Sequence, residues 1–228
     1  MNKTKKIVLF IVEGITDENS LSLILSKLIG SKIVHFHVIN QDITSEFNSS
    51  SQNIVRKIDG EVRKYLDQNN GIKRTDIKQI IHLVDTDGTF IKDDFVLEDM
   101  NHEKAFYTME YIKTNKRKNI ICRNERKSSI LNKLYQTNFI GKIPYKVYYF
   151  SCNLEHVLHN SQNTPCRQKS LYSYKFVDQY VGKEKQFVDF ISSNSFAVKG
   201  EYKDTWKFIK KDLNSLKRYC NFHLFFKN

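Results

Sequence analysis

Two acidic clusters, each directly after an apolar run, contain the residues of this sequence that are best suited to chemistry. Carboxylates that converge on one point repel one another unless a cation neutralises them, and hard oxygen ligands select Mg²⁺ or Mn²⁺. Two such ions about 3.5–4 Å apart are the usual arrangement for cleaving a phosphodiester bond. Taken singly, each acid could instead be a helix cap or a solvated turn residue. The four candidate ligands are Glu13, Asp17, Asp85 and Asp87.

The apolar runs before these acids predict buried strands of a parallel sheet. Residues 7–12 (IVLFIV) and 79–84 (QIIHLV) are short and mostly apolar, which is typical of strands covered on both faces. Thr16 is suited to cap the helix that follows the first strand. Because α/β folds place ligands at the carboxyl ends of parallel strands, we expect the acids to share one edge of the sheet. Asp85 and Asp87 point the same way if their segment stays extended.

Apolar spacing along the rest of the chain predicts an α/β protein. A strand–helix–strand–helix–strand order over residues 7–84 predicts parallel strands with right-handed crossovers. Later segments predict a fourth long strand and a mostly helical end. The predicted helices are residues 17–29, 54–66, 103–112, 126–135, 154–159, 171–181, 185–193 and 203–219, and the predicted strands are residues 7–12, 32–39, 79–84, 119–122 and 145–150.

The net charge of +12 is concentrated in the later part of the chain. Residues 1–90 contain 12 Lys and Arg against 11 Asp and Glu, whereas residues 91–228 contain 25 against 14. An acidic pocket beside a basic surface suits a polyanionic substrate. A lysine-rich proteome from an AT-rich genome would also explain the charge.

Cysteine usage and hydropathy argue against a secreted or membrane protein. The four cysteines form no CxxC pair, so free thiols in a reducing cytoplasm are expected. No apolar run approaches the roughly 20 residues of a membrane-spanning helix. We therefore expect a cytoplasmic protein that does not contact the membrane.

The two acidic clusters resemble the motifs of the Toprim domain, which topoisomerases, primases, overcoming-lysogenization-defect nucleases and small RNA-processing nucleases share. In that family a Glu ends the first strand and a DxD pair ends the third, as Glu13 and the run Asp85-Thr86-Asp87 do here. The VEGxTDE form is closest to the nuclease branches, in which a second acid four residues on, here Asp17, also holds metal.

The Toprim resemblance covers roughly residues 5–155 and has consequences for fold and site. It implies a Toprim-like, Rossmann-like fold with a mostly parallel sheet flanked by helices. It also implies one or two Mg²⁺ or Mn²⁺ ions as cofactor. The implied metal ligands are Glu13, Asp17, Asp85 and Asp87, of which Glu13, Asp85 and Asp87 would be catalytic.

A third segment, residues 151–159 (SCNLEHVLH), resembles the SNPCFExWLLxH run of RloB-like Toprim proteins, which are associated with bacterial restriction and anti-phage loci. Glu155 and His159 match that pattern, although Cys-Asn stands here where the family often has Asn-Pro-Cys. Lys175 corresponds to the lysine of a downstream Tyr-x-Lys feature. The sequence has no GxxxxGK[ST] phosphate loop, so a nucleotide-sensing step would have to come from a partner ATPase or sensor protein of a defence system.

Basic residues in the stretch 113–127 are candidates for contacts with nucleic-acid phosphates, and the alternative is a solvated basic loop. Lys127 or Lys175 could stabilise charge that builds on a cleaved phosphate. A zinc site is a further alternative, but the spacing of the cysteines and histidines in residues 152–166 is not that of a standard finger. The candidate phosphate contacts are Lys116, Arg117, Lys118, Arg123 and Arg126.

These observations lead to one favoured interpretation and one alternative. We expect a Toprim-like catalytic domain over residues 1–160, followed by a basic helical extension over residues 161–228 that either stands apart or belongs to the same domain. The favoured function is a metal-dependent endonuclease acting on DNA or RNA, with tRNA among the candidates, as an anti-phage defence effector. The alternative is a non-catalytic nucleic-acid-binding module with a degenerate Toprim core.

Overall fold

A central five-stranded sheet with helices on both faces organises the computed structural model, which describes residues 6–227. A smaller three-stranded sheet lies beside it. The strands are β1 (Ile7–Val12), β2 (Val34–Val38), β3 (Ile77–Asp85), β4 (Val96–Glu98), β5 (Phe106–Tyr107), β6 (Ile112–Thr114), β7 (Phe139–Ile140) and β8 (Ile143–Phe150). The α-helices are α1 (Ile15–Ile29), α2 (Ile54–Gln68), α3 (Arg117–Gln136), α4 (Leu154–His159), α5 (Cys166–Tyr180), α6 (Glu184–Ile191) and α7 (Tyr202–Ile209).

The strand order of the large sheet is β2-β1-β3-β8-β7, and the first four strands are parallel. Only β7, which forms a tight hairpin with β8, is antiparallel. The predicted α/β class and mostly parallel sheet are therefore confirmed. Because β1 and β3 are central, their carboxyl ends, at Glu13 and Asp85, lie side by side at one edge of the sheet.

Alternate side chains of β1 point to opposite faces of the sheet, so this one short strand packs against helices on both sides. Its odd-numbered residues, such as Leu9, pack under α2, α3 and α7, and its even-numbered residues, such as Phe10, pack under α1 and the C-terminal elements. All six residues of β1 are buried. A strand with no polar face is expected where helices cover both sides of a parallel sheet.

Residues 161–227 belong to the same two cores. Phe176 of α5 and Phe187 of α6 pack with the α1 side of the sheet, and Trp206 of α7 packs with the opposite side. A short 3₁₀ helix, Phe222–Lys227, adds further aromatic rings beside β8. The ends of the predicted domains, at residues 1–5 and 228, lie outside the described residues.

Three predicted elements are wrong. Residues 103–112 contain strand β5 and a turn rather than a helix, and residues 119–122 lie inside α3 rather than in a strand. The helix predicted over residues 203–219 ends at Ile209 and continues as turns. Among the described residues, no helix is long and apolar enough to span a membrane.

Candidate active site at the carboxyl edge of the sheet

Three of the four predicted ligands surround one small cavity at the carboxyl edge of β1 and β3. Its volume of about 10 Å³ is close to the minimum that one water molecule needs. Apolar side chains line the remaining sides of the cavity, and the three acids are each partly exposed. The lining residues are Glu13, Asp17, Leu83, Asp85, Phe150 and Leu154.

Glu13 brings an unsatisfied oxygen to this cluster. Its Oε1 atom is buried, and it has no hydrogen-bond partner within the described structure. Burial and the negative charge of Asp42 raise the pKa of Glu13 well above its usual value, and Lys127 only partly opposes them. A buried carboxylate oxygen without a donor is costly, so this position favours a cation or a proton.

Asp17 has both a structural and an electrostatic role. It lies in the first turn of α1, and its Oδ2 accepts a hydrogen bond from the backbone N–H of Gly14 at 3.0 Å. The helix begins at Ile15, so Thr16 is not the cap that the sequence predicts. Burial and the nearby charge of Glu155 nevertheless raise the pKa of Asp17 to about 7.

Asp85 joins β3 to α4. Its Oδ1 accepts a hydrogen bond of 2.9 Å from the N–H of Leu154, in the first turn of α4. Burial, followed by repulsion from Asp17 and Asp87, raises the pKa of Asp85 well above its usual value. The N–H therefore orients the carboxyl group but does not offset the loss of hydration.

Asp87 departs from the extended geometry that the sequence interpretation requires. Its φ angle is 48°, and Gly88 follows with φ 66°, so the chain turns sharply after Thr86. The side chain of Asp87 meets Lys127, with 2.5 Å between Oδ2 and Nζ. The segment is therefore not extended at Asp87, and the condition for Asp85 and Asp87 to point the same way is not met.

Lys127 is a fully buried cation beside the cluster. Its Nζ also lies 2.8 Å from Oδ2 of Asp42, so two carboxylates share one ammonium group. Burial alone would lower the pKa of Lys127, but Asp42 and Asp87 raise it well above its usual value. Burial acts to raise the pKa of Asp42, yet Lys127 holds it below its usual value. This lysine thus stays charged at neutral pH.

Arg123 and Tyr107 hold the turn that carries Asp87. Arg123 donates from Nη2 to the carbonyl oxygen of Asp87 at 2.8 Å and from Nη1 to the Tyr107 hydroxyl at 2.8 Å. That hydroxyl donates in turn to Oδ1 of Asp87 at 3.4 Å. Arg123, predicted as a phosphate contact, is therefore already engaged within the protein.

Glu155 lies beside the acid cluster and pairs with a lysine of α5. It is buried in α4, and its charge acts on both Asp17 and Asp85. Lys169 of α5 forms an ion pair with it at 2.8 Å. Lys175, the lysine that the sequence resemblance indicates, is exposed on α5, and within residues 6–227 no hydrogen bond or ion pair joins it to the acids.

The other predicted basic contacts divide into two groups. Lys116 and Lys118 are exposed near the start of α3. Arg117 instead donates to the carbonyl oxygens of Val96 and Asp93, and the Arg126 guanidinium lies 5.5 Å from the ring of Phe47. Lys118 is exposed, and the ion pair of Lys116 with Glu103 is long, at 3.8 Å, so both lysines present charge at this surface.

Sequence reasoning missed two charged members of the site, Asp42 and Lys169. Asp42 follows β2 by a few residues, so the rule that identified Glu13 and Asp85, an acid after a parallel strand, applies to it as well. Its position inside a long polar loop concealed that signal. Lys169 carries no sequence signal of its own, because only the packing of α5 against α4 brings it to Glu155.

The described residues contain no group of three or more His, Cys, Asp or Glu side chains that is already positioned to hold a metal ion. This finding includes the cysteines and histidines weighed as a zinc site. Comparison of the chain with protein-family models, with curated proteins and with solved structures gives no match.

Proposed function

We propose that this protein is a metal-dependent nuclease with a Toprim-like core, similar to RloB-like and overcoming-lysogenization-defect-type proteins. The observation that carries the proposal is a set of three carboxyls with raised pKa, Glu13, Asp17 and Asp85, around one cavity at the carboxyl edge of a parallel sheet. Perturbed acids at such an edge are typical of functional sites. The role in anti-phage defence, with a partner ATPase or sensor protein, rests on the sequence resemblance alone.

The chemistry of the cluster suits Mg²⁺ or Mn²⁺. Its carboxylates outnumber the lysines beside them, and one oxygen of Glu13 is buried without a partner. Hard oxygen donors with excess negative charge favour these two ions over softer ones. The residues that would hold one or two ions are Glu13, Asp17, Asp85 and Asp87, with Glu155 beside them.

Each charged group of the cluster has a separate task in this proposal. A bound divalent ion would supply Lewis acidity, which lowers the pKa of water and polarises a phosphoryl oxygen. Glu13 would either hold the ion or, as the alternative, accept a proton from the attacking water. Lys127, a fixed charge beside Asp87, would stabilise negative charge that develops on the phosphate. Arg123 and Tyr107 would keep Asp87 in place.

The test is cleavage of plasmid DNA and of total tRNA by the purified protein with and without Mn²⁺ or Mg²⁺. We expect ion-dependent cleavage of at least one substrate, and we expect Glu13→Gln and Asp85→Asn each to reduce it by at least 100-fold, because each removes a ligand and a charge. Asp189→Asn, an exposed acid on α6, is the matched control and should cleave normally. Equal activity of all three variants would refute the assignment of the site.

A second candidate function is a nucleic-acid-binding module without catalysis. The observation that favours it is Lys127, whose ammonium group already neutralises Asp42 and Asp87 where a metal ion would otherwise be needed. Such a protein would bind oligonucleotides equally well with and without divalent ions. A titration with Mn²⁺ followed by calorimetry separates the two functions, since only the nuclease requires a stoichiometric ion that Glu13→Gln weakens.

A further inference from the structure

An open groove of about 410 Å³ leads from the surface to Glu155, at the border of the acid cluster. One wall is the segment 101–107, which ends in β5, and the other is the loop before α5 together with its first turns. Lys169 lies at the inner end, where it pairs with Glu155. The groove therefore approaches the acids from one side of the sheet edge.

The walls of the groove are held together by side-chain amides. Asn163 accepts a hydrogen bond from the N–H of Tyr107 at 2.8 Å and donates to the carbonyl oxygen of Tyr107 at 2.7 Å. Gln162 donates to the carbonyl oxygen of Thr108 at 3.1 Å. The two hydrogen bonds between Asn163 and the backbone of Tyr107 resemble those between paired strands. They therefore hold the two walls together without a ligand.

A pair of stacked rings stands on one wall. Phe106 and His102 lie 4.4 Å apart between centroids, with an angle of 16° between their planes. Phe106 keeps 37% of its surface exposed, which leaves ring area available to a ligand. Lys104 on the same wall is exposed, and its neighbour Glu103, also exposed there, forms a long ion pair of 3.8 Å with Lys116, so the aromatic platform has a lysine beside it.

We infer that this groove binds one unpaired nucleotide of a single-stranded nucleic acid, with its base stacked on Phe106 and its phosphate near Lys104 and Lys169. Stacking on an aromatic ring requires a base that is free of its partner strand, and lysines that track the backbone supply the charge. The volume of about 410 Å³ lies in the range of clefts for small ligands, which is the size class of one nucleotide. The inference rests on the proposed nuclease function, for which it names the substrate form.

The test uses the full-length chain carrying Glu13→Gln, which prevents cleavage, and short oligonucleotides that contain one 2-aminopurine. We expect single-stranded DNA or RNA to bind with a change in 2-aminopurine fluorescence and the matching duplex to bind more weakly. Phe106→Ala should weaken single-strand binding by roughly 5- to 100-fold and remove the fluorescence change. Phe106→Tyr should keep both, because the ring remains. Parallel DNA and RNA strands show which sugar the groove accepts.

Phe139→Ala is the matched control, since Phe139 is also an exposed phenylalanine but lies in the hairpin at the opposite edge of the sheet. Its binding should equal that of the parent. If Phe106→Ala binds the single strand as tightly as Phe139→Ala does, or if the duplex binds best, the inference is wrong. Ion-dependent cleavage by the protein with native Glu13 is measured separately, so the nuclease proposal can stand while the groove assignment fails, and the reverse.

Discussion

The carboxyl groups of the acid cluster outnumber the lysine side chains that pair with them. Two lysines, Lys127 and Lys169, face the group, and each is already paired. Burial raises the pKa of three of the acids, so without a cation the cluster favours bound protons. The carboxyls are Glu13, Asp17, Asp42, Asp85, Asp87 and Glu155.

Asp17 contributes to the pH dependence of stability. Its folded-state pKa is raised from 3.8 to about 7, so the folded protein binds more protons than the unfolded chain between these values. The free energy of unfolding should therefore fall as pH rises from about 4 to about 7, by roughly 4 kcal/mol at most from this residue. Urea unfolding at several pH values, in EDTA, measures the fall, and saturating Mn²⁺ should reduce it.

Asp17→Asn is the matched variant for this pH prediction. Asparagine can still accept the hydrogen bond from Gly14, so the helix start is preserved while the charge is removed. The variant should show a smaller loss of stability between pH 4 and pH 7 than the parent. A variant that loses stability with pH as steeply as the parent would show that Asp17 does not set this dependence.

The acids that end a strand could be predicted at the residue scale, because position after a buried strand fixes where a side chain emerges. Glu13 and Asp85 satisfy that rule directly. Asp87 does not, since a left-handed residue followed by Gly88 redirects its carboxylate to Lys127. The burial of Lys127 could not be predicted either, because nothing in its neighbours in the sequence distinguishes it from the exposed lysines of α3.

Helix α3 is the element that delivers Lys127 to the cluster, and removing that charge should be costly. Lys127→Met keeps most of the apolar stem but leaves Asp42 and Asp87 without their cation. Breaking a buried ion pair by removing one partner costs roughly 3–5 kcal/mol, and the partial exposure of both aspartates favours the lower end. Urea unfolding at pH 7 measures the loss.

Lys133→Met is the control for α3, since Lys133 is exposed on the same helix and should change the unfolding free energy by less than about 0.5 kcal/mol. The loss of unfolding free energy caused by Lys127→Met should be smaller at low pH, because protonation of Asp42 removes the unpaired charge. Adding Asp42→Asn to Lys127→Met should restore part of the stability. A defect equal to that of Lys133→Met would contradict the role of the buried pair.

The turn after β3 depends on a glycine. Gly88 has φ 66°, and a Cβ atom there would lie 2.5 Å from Cδ2 of Leu216. We expect Gly88→Ala to lower the free energy of unfolding by roughly 2–4 kcal/mol through strain and overlap. Gly60→Ala, inside α2, should raise it by roughly 0.5–1 kcal/mol, because a Cβ atom there would meet no described atom within 4 Å outside the backbone of its own helix. Thermal and urea unfolding of both variants test the contrast.

Elements with strong apolar periodicity could be predicted, whereas those shaped by distant contacts could not. Helices α1 and α2 and strands β1, β3 and β8 follow local pattern, and their observed bounds differ from prediction by a few residues. The segment 103–112 forms β5 and a turn because β6 and Asn163 pair with it. Strand β6 is a neighbour in the sequence, but Asn163 lies 56 positions from Tyr107, and the local sequence holds no information about that partner.

Hydrogen bonds with the C-terminal part of the chain hold strand β8 and the turn after β3. Thr86, between the two aspartates, donates to the carbonyl oxygen of Ser215 at 3.0 Å, and Asn221 accepts from the N–H of Tyr149 at 2.8 Å. Residues 161–227 therefore position the turn that carries Asp87 as well as covering the sheet. Sequence periodicity predicts helices in this region, but it cannot predict these hydrogen bonds, because each joins residues more than 70 positions apart.

The charge asymmetry of the whole chain leads to a prediction on salt dependence. Lys116 and Lys118 are exposed, whereas Arg117 between them holds backbone carbonyls, so reversing only the two lysines tests the surface without disturbing α3. If both contact phosphates, Lys116→Glu with Lys118→Glu should weaken binding to every oligonucleotide. The slope of log affinity against log salt should become shallower by about 1.4 for single strands, since each lost contact removes roughly 0.7.

The measurement is affinity of the Glu13→Gln protein for one single strand over a salt series, with and without the paired reversal. Lys183→Glu with Lys185→Glu, on the loop before α6 and in its first turn, is a control of equal charge change, and it should leave the slope closer to that of the parent. If both pairs flatten the slope equally, the effect comes from net charge rather than from contacts at α3. If neither pair changes it, the strand is held by other cations, for which Lys104 and Lys169 in the groove are the first candidates to reverse.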